Sequence, residues 1–522
     1  MKVLFLYPNH KGNYMLPPAI GILSACLKRV GHTVGLFDTT QYASFDLDHR
    51  PAVDVDKSKA DRLMAKPFEE TEVLKEIDGD IYEDFEKKVN AFKPDLIALS
   101  ATEDLWLPGI ALLKHIEDKD ILTLAGGVFP TFAPELAISY PEIDIICKGE
   151  GEIAIVELCS RLAEGKSYDD VPNLWIKKDG GKVIENPLTM VDMDDNPLID
   201  VSIFEEARYY RPMAGKVYKM FPVEIFRGCP YTCRYCNSPW QAALYKKEAN
   251  SNFLRRKSFE KIEEELYFYK DEMQAEYLYF WSDTFFSWKR DDFYKFCDIY
   301  EGIKLPFWIQ TRPETVKYDL FMRLKEIGCH RISFGVECGN QEFRKEVLGR
   351  NVTNERIIEG LNTVYEVGIP FSVNNIIGFP GETYELAFET IELNREIPAD
   401  DRNAYPFTPF HGIPLREECD KLGYTTYGDI VESLVGSGSI LDMPQFPKEK
   451  VKGLCKTFNL YVSFPKSRWP EIAMAEKDTP EGQKIFGDLR EEFNEKYLYK
   501  DAHDNMLKDV HYELPVGMGK MS

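Results

Sequence analysis

At 522 residues the chain has length for about two to four domains, and 44% apolar side chains are enough to give each a core. Its 87 acidic against 64 basic residues leave a net charge of -23, which repels phosphate backbones and anionic lipid surfaces, so neither nucleic acid nor a membrane is an expected partner. No run of about 18 apolar residues occurs, and Met1-Lys2-Val3-Leu4-Phe5-Leu6-Tyr7 is too short and too β-branched for a signal peptide, so the expected compartment is the cytoplasm.

Residues 2 to 7 form an apolar run without polar alternation, as in a parallel strand covered on both faces. A helix opened by Pro17 and Pro18 and closed by Gly31 follows, then a strand over 33–37, and the alternation returns at 95–100, 120–125 and 143–147. Five short strands with right-handed crossovers make a doubly wound parallel sheet over residues 1–178, with a ligand crevice at the strands' carboxyl ends. At those ends stand Tyr7-Pro8-Asn9, Ser100-Ala101-Thr102, Gly126-Gly127-Val128-Phe129-Pro130-Thr131 and Gly149-Glu150-Gly151-Glu152, whose glycines let backbone approach a large planar ligand. His10, beside the first of these, reads as an exposed loop histidine. Residues 41–80 read as an acidic, solvated insertion with a short helix near Ala60 to Leu74, and second as a substrate lid or subunit contact. A linker with a local hairpin over 179–221 delivers the chain to a strand at 223–226.

The next residues are Arg227-Gly228-Cys229-Pro230-Tyr231-Thr232-Cys233-Arg234-Tyr235-Cys236, three thiols on one loop. Structural zinc wants four protein ligands, and from Asn237 to Phe296 there is no further Cys or His; an iron-sulfur cube held by three thiolates leaves one iron open. The other cysteines read as reduced core thiols. Strand and helix then alternate through 277–281, 306–310, 331–336, 371–377 and 402–407, giving six β/α units and an open barrel over 222–412. Residues 413–522 read as a helical cap over its open side, with a disordered tail around Gly517 and Gly519.

The cysteine loop resembles that of radical S-adenosylmethionine (SAM) enzymes, and the N-terminal strand-end elements resemble the cobalamin-binding domain fused to many of them. The resemblance implies an α/β architecture in three parts: a doubly wound cobalamin domain, a partial (β/α)6 barrel and the helical cap. It implies a [4Fe-4S] cluster on Cys229, Cys233 and Cys236, and cobalamin against the strand-end elements from Tyr7 to Gly151. SAM would meet Tyr235, Asp283, Arg312, Glu337 and Asn375. For three of these the residues leave a second reading: Asp283 as a helix cap, Arg312 as a surface partner of Glu314, and the Gly378-Phe379-Pro380-Gly381-Glu382-Thr383 turn beyond Asn375 as purely structural. The cobalamin motif Asp-x-His-x-x-Gly is absent, because Pro8 and Asn13 replace its Asp and Gly, and this leaves a lower axial ligand unassigned. The implied activity is reductive cleavage of SAM and radical chemistry at an unactivated carbon, with methyl transfer through methylcobalamin. Cyclisation, ring contraction or oxygen insertion use the same architecture, and a cobalamin or iron-sulfur sensor is the reading outside enzymes. The partners implied are a small-molecule or peptide substrate and an electron donor such as flavodoxin or ferredoxin.

Overall fold

The protein is described from a computed structural model, covering residues 1–42, 54–65, 68, 74, 76–116, 120–431 and 438–498. The N-terminal sheet contains β1 (Lys2–Tyr7), β2 (Thr33–Asp38), β3 (Leu96–Ser100), β4 (Leu122–Gly126), β5 (Ile145–Cys147), β6 (Leu174–Lys177) and β7 (Val183–Glu185) in the order β2-β1-β3-β4-β5-β6-β7. The first five are parallel, and β6 and β7 are antiparallel additions. Along β1, Val3 and Phe5 enter one core while Leu4 and Leu6 enter another on the opposite face, which is why the strand reads as a continuous apolar run. The order reverses between β1 and β3, so their carboxyl ends flank the crevice of a doubly wound sheet.

The second sheet has the order β16-β15-β14-β13-β12-β9-β8, from β8 (Tyr210–Met213) and β9 (Lys216–Val223) through β12 (Tyr277–Phe280), β13 (Phe307–Thr311), β14 (Cys329–Glu337) and β15 (Phe371–Ile377) to β16 (Asp401–Pro406). All but β8 are parallel. Alternation sorts the faces: Leu278 and Phe280 join the core against the outer helices, whereas Tyr277 and Tyr279 turn inward with Met220. A two-strand ribbon of β10 (Phe226–Arg227) and β11 (Arg255–Arg256) stands at the barrel's rim.

Four expectations are corrected. The strand before the cysteines starts at Lys216 rather than Val223, because Ala214 and Gly215, both at positive φ, fold β8 back onto β9; strand pairing thus divides the 179–221 segment between the two sheets. The C-terminal helices do not lie across the barrel's open side: Lys448–Ser463 packs its Leu454 and Phe458 with Ala404 and Ile377, against the outer face of β15 and β16. After α1 (Pro18–Arg29), the helix of the acidic insertion among the described residues is α2 (Val55–Asp61), which starts before Ala60 because the Asp54 side chain caps it by accepting from Lys57 N–H; much of the span from 66 to 74 lies outside the described residues. Nor is this piece solvated: Leu63 is buried in the C-terminal core, and Asn459 Nδ2 donates to the carbonyls of Leu63 (2.9 Å) and Arg402 (3.0 Å). Gly517, Gly519 and the tail around them lie outside the described residues.

Candidate active site

The cysteine loop is shaped by contacts that leave its thiols free. Gly228, at φ +95, lets the backbone pass so close to Leu254 that an added Cβ would sit 3.0 Å from its Cα. Trp240 Nε1 donates to the Cys233 carbonyl (3.1 Å), and Arg234 N–H donates to the Leu348 carbonyl (3.0 Å). Cys233 is buried and Cys229 and Cys236 are half-buried; burial pushes the thiol pKa of Cys229 up to about 11 and that of Cys236 up to about 12. Among the described residues no three His, Cys, Asp or Glu groups converge on a single metal ion. Three thiols on one loop, with no fourth ligand beside them, fit a cluster whose irons are held one per thiolate.

Four of the five residues expected at SAM gather around this loop. Asp283, solvent-accessible at the end of β12, accepts a short hydrogen bond from Ser238, two residues past Cys236, and desolvation by the protein around it raises its carboxyl pKa. The Arg312 guanidinium lies 3.6 Å from the Tyr231 ring centre, reaches Cys233 Sγ at 3.6 Å and pairs with Glu314 at 2.6 Å, so the expected ion pair is present, half-buried beside the cysteine loop rather than at the surface. Glu337 hydrogen-bonds Tyr235 and faces Arg350 at 3.7 Å, and burial raises its carboxyl pKa. It adopts φ +71 beside a register shift in β14, a left-handed conformation costing a non-glycine residue about 1–3 kcal/mol. Gly335 leaves space for the Glu337 carboxylate, which a Cβ there would displace.

Asn375 does not join them. It is fully enclosed on the outer face, where Asn375 and Asn394 each donate to the other (3.1 and 2.8 Å); its neighbour Asn374 faces inward and donates to Ser333 (3.1 Å). Cys338 is likewise buried and its thiol pushed up to about 12, an inert core residue. His411 is buried between Glu103 (Nδ1 to Oε1, 2.8 Å) and the Tyr427 carbonyl (Nε2 to O, 2.8 Å), a clamp between the sheets rather than a barrel acid or base.

The strand-end elements of the first sheet divide in the same way. Gly127 at φ +124 passes against the Ala101 carbonyl where no side chain would fit, while a Cβ on Gly126 would meet nothing closer than 3.7 Å. Thr131 ties that loop to the next, donating to the Gly127 carbonyl (2.7 Å) and accepting from Gly149 N–H (3.0 Å). Thr102 is exposed at its strand end and Tyr7 and Ser100 are half-exposed. Pro8 and Asn9 are buried in the loop fold, with Asn9 Nδ2 donating to Thr40 Oγ1 (2.8 Å). His10 is not exposed: burial lowers its pKa to about 4, and Nε2 is enclosed without a partner among the described residues.

Glu150 turns away from the crevice to the second sheet. With Glu152 and Glu224 it surrounds Arg227, two residues before Cys229, at 2.7, 2.6 and 3.1 Å, and it also pairs with Arg255. Gly149 and Gly151 carry it there, with Gly149 packed where a Cβ would strike Tyr245. Leu16, after β1, exchanges hydrogen bonds with Tyr279 Oη on β12 (3.0 and 3.1 Å). The loops after β1, β3 and β5 therefore all dock on the barrel, and the carboxyl ends of the first sheet face the cysteine loop.

The Radical SAM superfamily profile matches residues 223–393, and the B12 binding domain profile matches residues 64–159. The chain joins a B12 binding domain to a radical SAM domain. It is 27% identical to the uncharacterized methyltransferase PH0819 of Pyrococcus horikoshii over 68% of this chain and 76% of that protein. It is 25% identical to the anaerobic magnesium-protoporphyrin IX monomethyl ester cyclase of Rubrivivax gelatinosus over 80% of this chain and 70% of that one. The radical SAM methyltransferase TsrM from Kitasatospora setae, solved with cobalamin and a [4Fe-4S] cluster, superposes with a TM-score of 0.60 at 14% identity over 94% of this chain and 99% of that one, which establishes the shared fold.

Within the barrel, the sequence motifs missed Arg350 and Ser238, which hold Glu337 and Asp283 in place. Their signal is a partner at long range, which no local spacing carries. The turn after β15 is set by Glu382, whose Oε2 accepts from Gly378 N–H (2.5 Å) and Phe379 N–H (3.1 Å) and so presents Phe379 to Tyr235 with ring centres 5.8 Å apart. Burial raises the Glu382 carboxyl to about 8 from 4.5, and Oε1 has no acceptor or donor beside it among the described residues. The folded state therefore holds a proton that the unfolded chain releases. This contribution is full below about pH 4.5 and is lost progressively as pH rises to about 8. Glu382→Gln is expected to flatten that decline, with a gain at pH 8 on the order of a few kcal/mol. Thermal midpoints of both proteins between pH 5 and 8 check it; parallel curves would refute it.

Proposed function

We propose that the protein is a cobalamin-dependent radical SAM methyltransferase acting at an unactivated carbon of a small-molecule or peptide substrate. The observation that carries this reading is the Arg227 joint, where carboxylates from the β5 loop of one domain grip the strand that leads into the cysteine loop of the other. The two cofactor regions are thereby held against one chamber.

Cys229, Cys233 and Cys236 would hold the cluster. Asp283 and Glu337 offer carboxylates, and Arg312 a planar cation, to the charged and hydroxyl groups of SAM, with Tyr235 against its adenine. Gly126 leaves room for a corrin face, Gly127 lets its loop pass the Ala101 carbonyl, and Tyr7, Ser100 and Thr102 border the space. When bound, the cluster and cobalamin supply reductive cleavage of SAM and a transferable methyl group, so the polypeptide's part is positioning and exclusion of water. Trp281, 41% exposed at the end of β12, presents an apolar wall there. An electron donor such as flavodoxin or ferredoxin would supply the electron.

Reconstitution under argon with iron, sulfide and hydroxocobalamin, followed by desalting and metal, corrinoid and product assays, tests the reading. It predicts near-stoichiometric cobalamin, and S-adenosylhomocysteine formed alongside 5′-deoxyadenosine when an acceptor turns over. The cyclase relative motivates a second reading, cyclisation without methyl transfer, for which 5′-deoxyadenosine would appear without S-adenosylhomocysteine. A cluster without cobalamin would defeat both.

A further inference from the structure

The acidic insertion turns a cationic face inward. Its helix α2 lies across the gap between the two edge strands of the barrel: the Arg62 guanidinium sits 5.8 Å from the Tyr405 ring centre on β16, and Lys59 feels the charge of Arg211 on β8. The helix is fixed from both sides. Val55 N–H donates to the Lys11 carbonyl (2.9 Å), Gly12 at φ +81 lets Asp56 pack against it, and Asn459 holds the carbonyl of Leu63.

Arg211 lies on the inward face, its guanidinium 5.1 Å from the Tyr279 ring centre, and its Nη1 is buried without a hydrogen-bond partner among the described residues. The Lys59 ammonium likewise has no ion pair or hydrogen bond among them, and desolvation, with Arg211 and Arg62 nearby, lowers its pKa. The carboxylate at the cluster is Asp56, which is itself bonded to Tyr14. Among the described residues Lys59 and Arg211 thus share the single carboxylate of Asp56, an unfavourable burial unless a further anion joins them. Arg211 pairs with Tyr218, which precedes the strand's end at Val223 by five residues, roughly 16 Å of extended backbone. The cysteine loop and the residues around it lie beyond that end.

We propose that Lys59, Arg62 and Arg211 seat an anionic group of the substrate, a carboxylate or a phosphate, within the side of the barrel that α2 closes. This rests on the barrel interior being the substrate chamber of the enzyme proposed above. A guanidinium whose Nη1 is unused offers an oxyanion a directed donor, and Lys59 adds a movable second charge.

The test is calorimetric titration of the holoprotein, with cluster, cobalamin and SAM, by inorganic phosphate and separately by succinate at constant ionic strength. Saturable binding of one of them is expected, weakened about tenfold or more in Lys59→Met and in Arg211→Met, as for loss of a charged hydrogen bond, and kept within about twofold in Lys59→Arg. The anion preferred separates a phosphate seat from a carboxylate seat. No saturable binding of either, or binding that both Met variants retain, overturns the proposal. So does loss of cobalamin or SAM affinity in the variants, which would assign the cations to a cofactor. If Arg211→Met does not fold, Lys59→Met on the peripheral α2 decides alone. Cobalamin content and S-adenosylhomocysteine yield, assayed on the same wild-type samples, show separately whether the methyltransferase reading fails.

Discussion

Cys229, Cys233 and Cys236 replaced together by alanine should give a folded protein that retains no iron-sulfur cluster and cleaves SAM about 10³-fold more slowly or not at all, a barrier increase of about 4 kcal/mol or more. Folding should survive because the loop is held by other groups: the Gly228 turn, Trp240 on the Cys233 carbonyl and Arg234 on the Leu348 carbonyl. Two of the thiols are so far desolvated that, without iron, they remain neutral at pH 7, so their removal costs no ion pair. Iron and sulfide content after reconstitution, 5′-deoxyadenosine yield and a far-ultraviolet circular dichroism melt measure the three parts separately. Iron and cleavage persisting in the triple variant would place the cluster elsewhere.

Arg227→Met is expected to be among the most destabilising single substitutions in the chain, by about 3–5 kcal/mol. The methionine fills similar space but leaves Glu150, Glu152 and Glu224, all largely buried, with Arg255 near Glu150 and Glu224 and Lys257 near Glu224 as the remaining cations among the described residues. Removing one member of a buried charge group strands the others, whereas removing opposite members together restores balance. The double change Arg227→Met with Glu152→Gln should therefore recover part of the loss. Urea denaturation midpoints of the two variants read the coupling, and cobalamin retention on desalting reads whether the domains stay docked. A melt unchanged from wild type would show that the joint holds no weight.

The doubly wound sheet and the barrel were both legible because parallel strands buried on both faces write themselves as short apolar runs. The three cysteines were legible because their chemistry is contained in one loop. What stayed hidden was whatever depends on parity or on distance along the chain. Asn374 and Asn375 are equivalent in the sequence, and only the strand's alternation decides that the first faces inward and the second meets Asn394. Glu150 sits in a glycine motif suited to a ligand, but its partners Arg227 and Arg255 lie 77 and 105 residues further on. The insertion looked solvated for the same reason: its carboxylates are plain in the sequence, while the burial of Leu63 depends on a helix that begins at Lys448.

That last separation also sets an order of events. Asn459 is synthesised 396 residues after the Leu63 carbonyl it binds, and Arg490 follows 429 residues after its partner Asp61. On the ribosome both sheets can be complete while the end of α2 still lacks its fastening, because chains emerge from the amino terminus and domains fold as units. The chamber is thus assembled as an unlatched vessel, and the last hundred residues supply the latch.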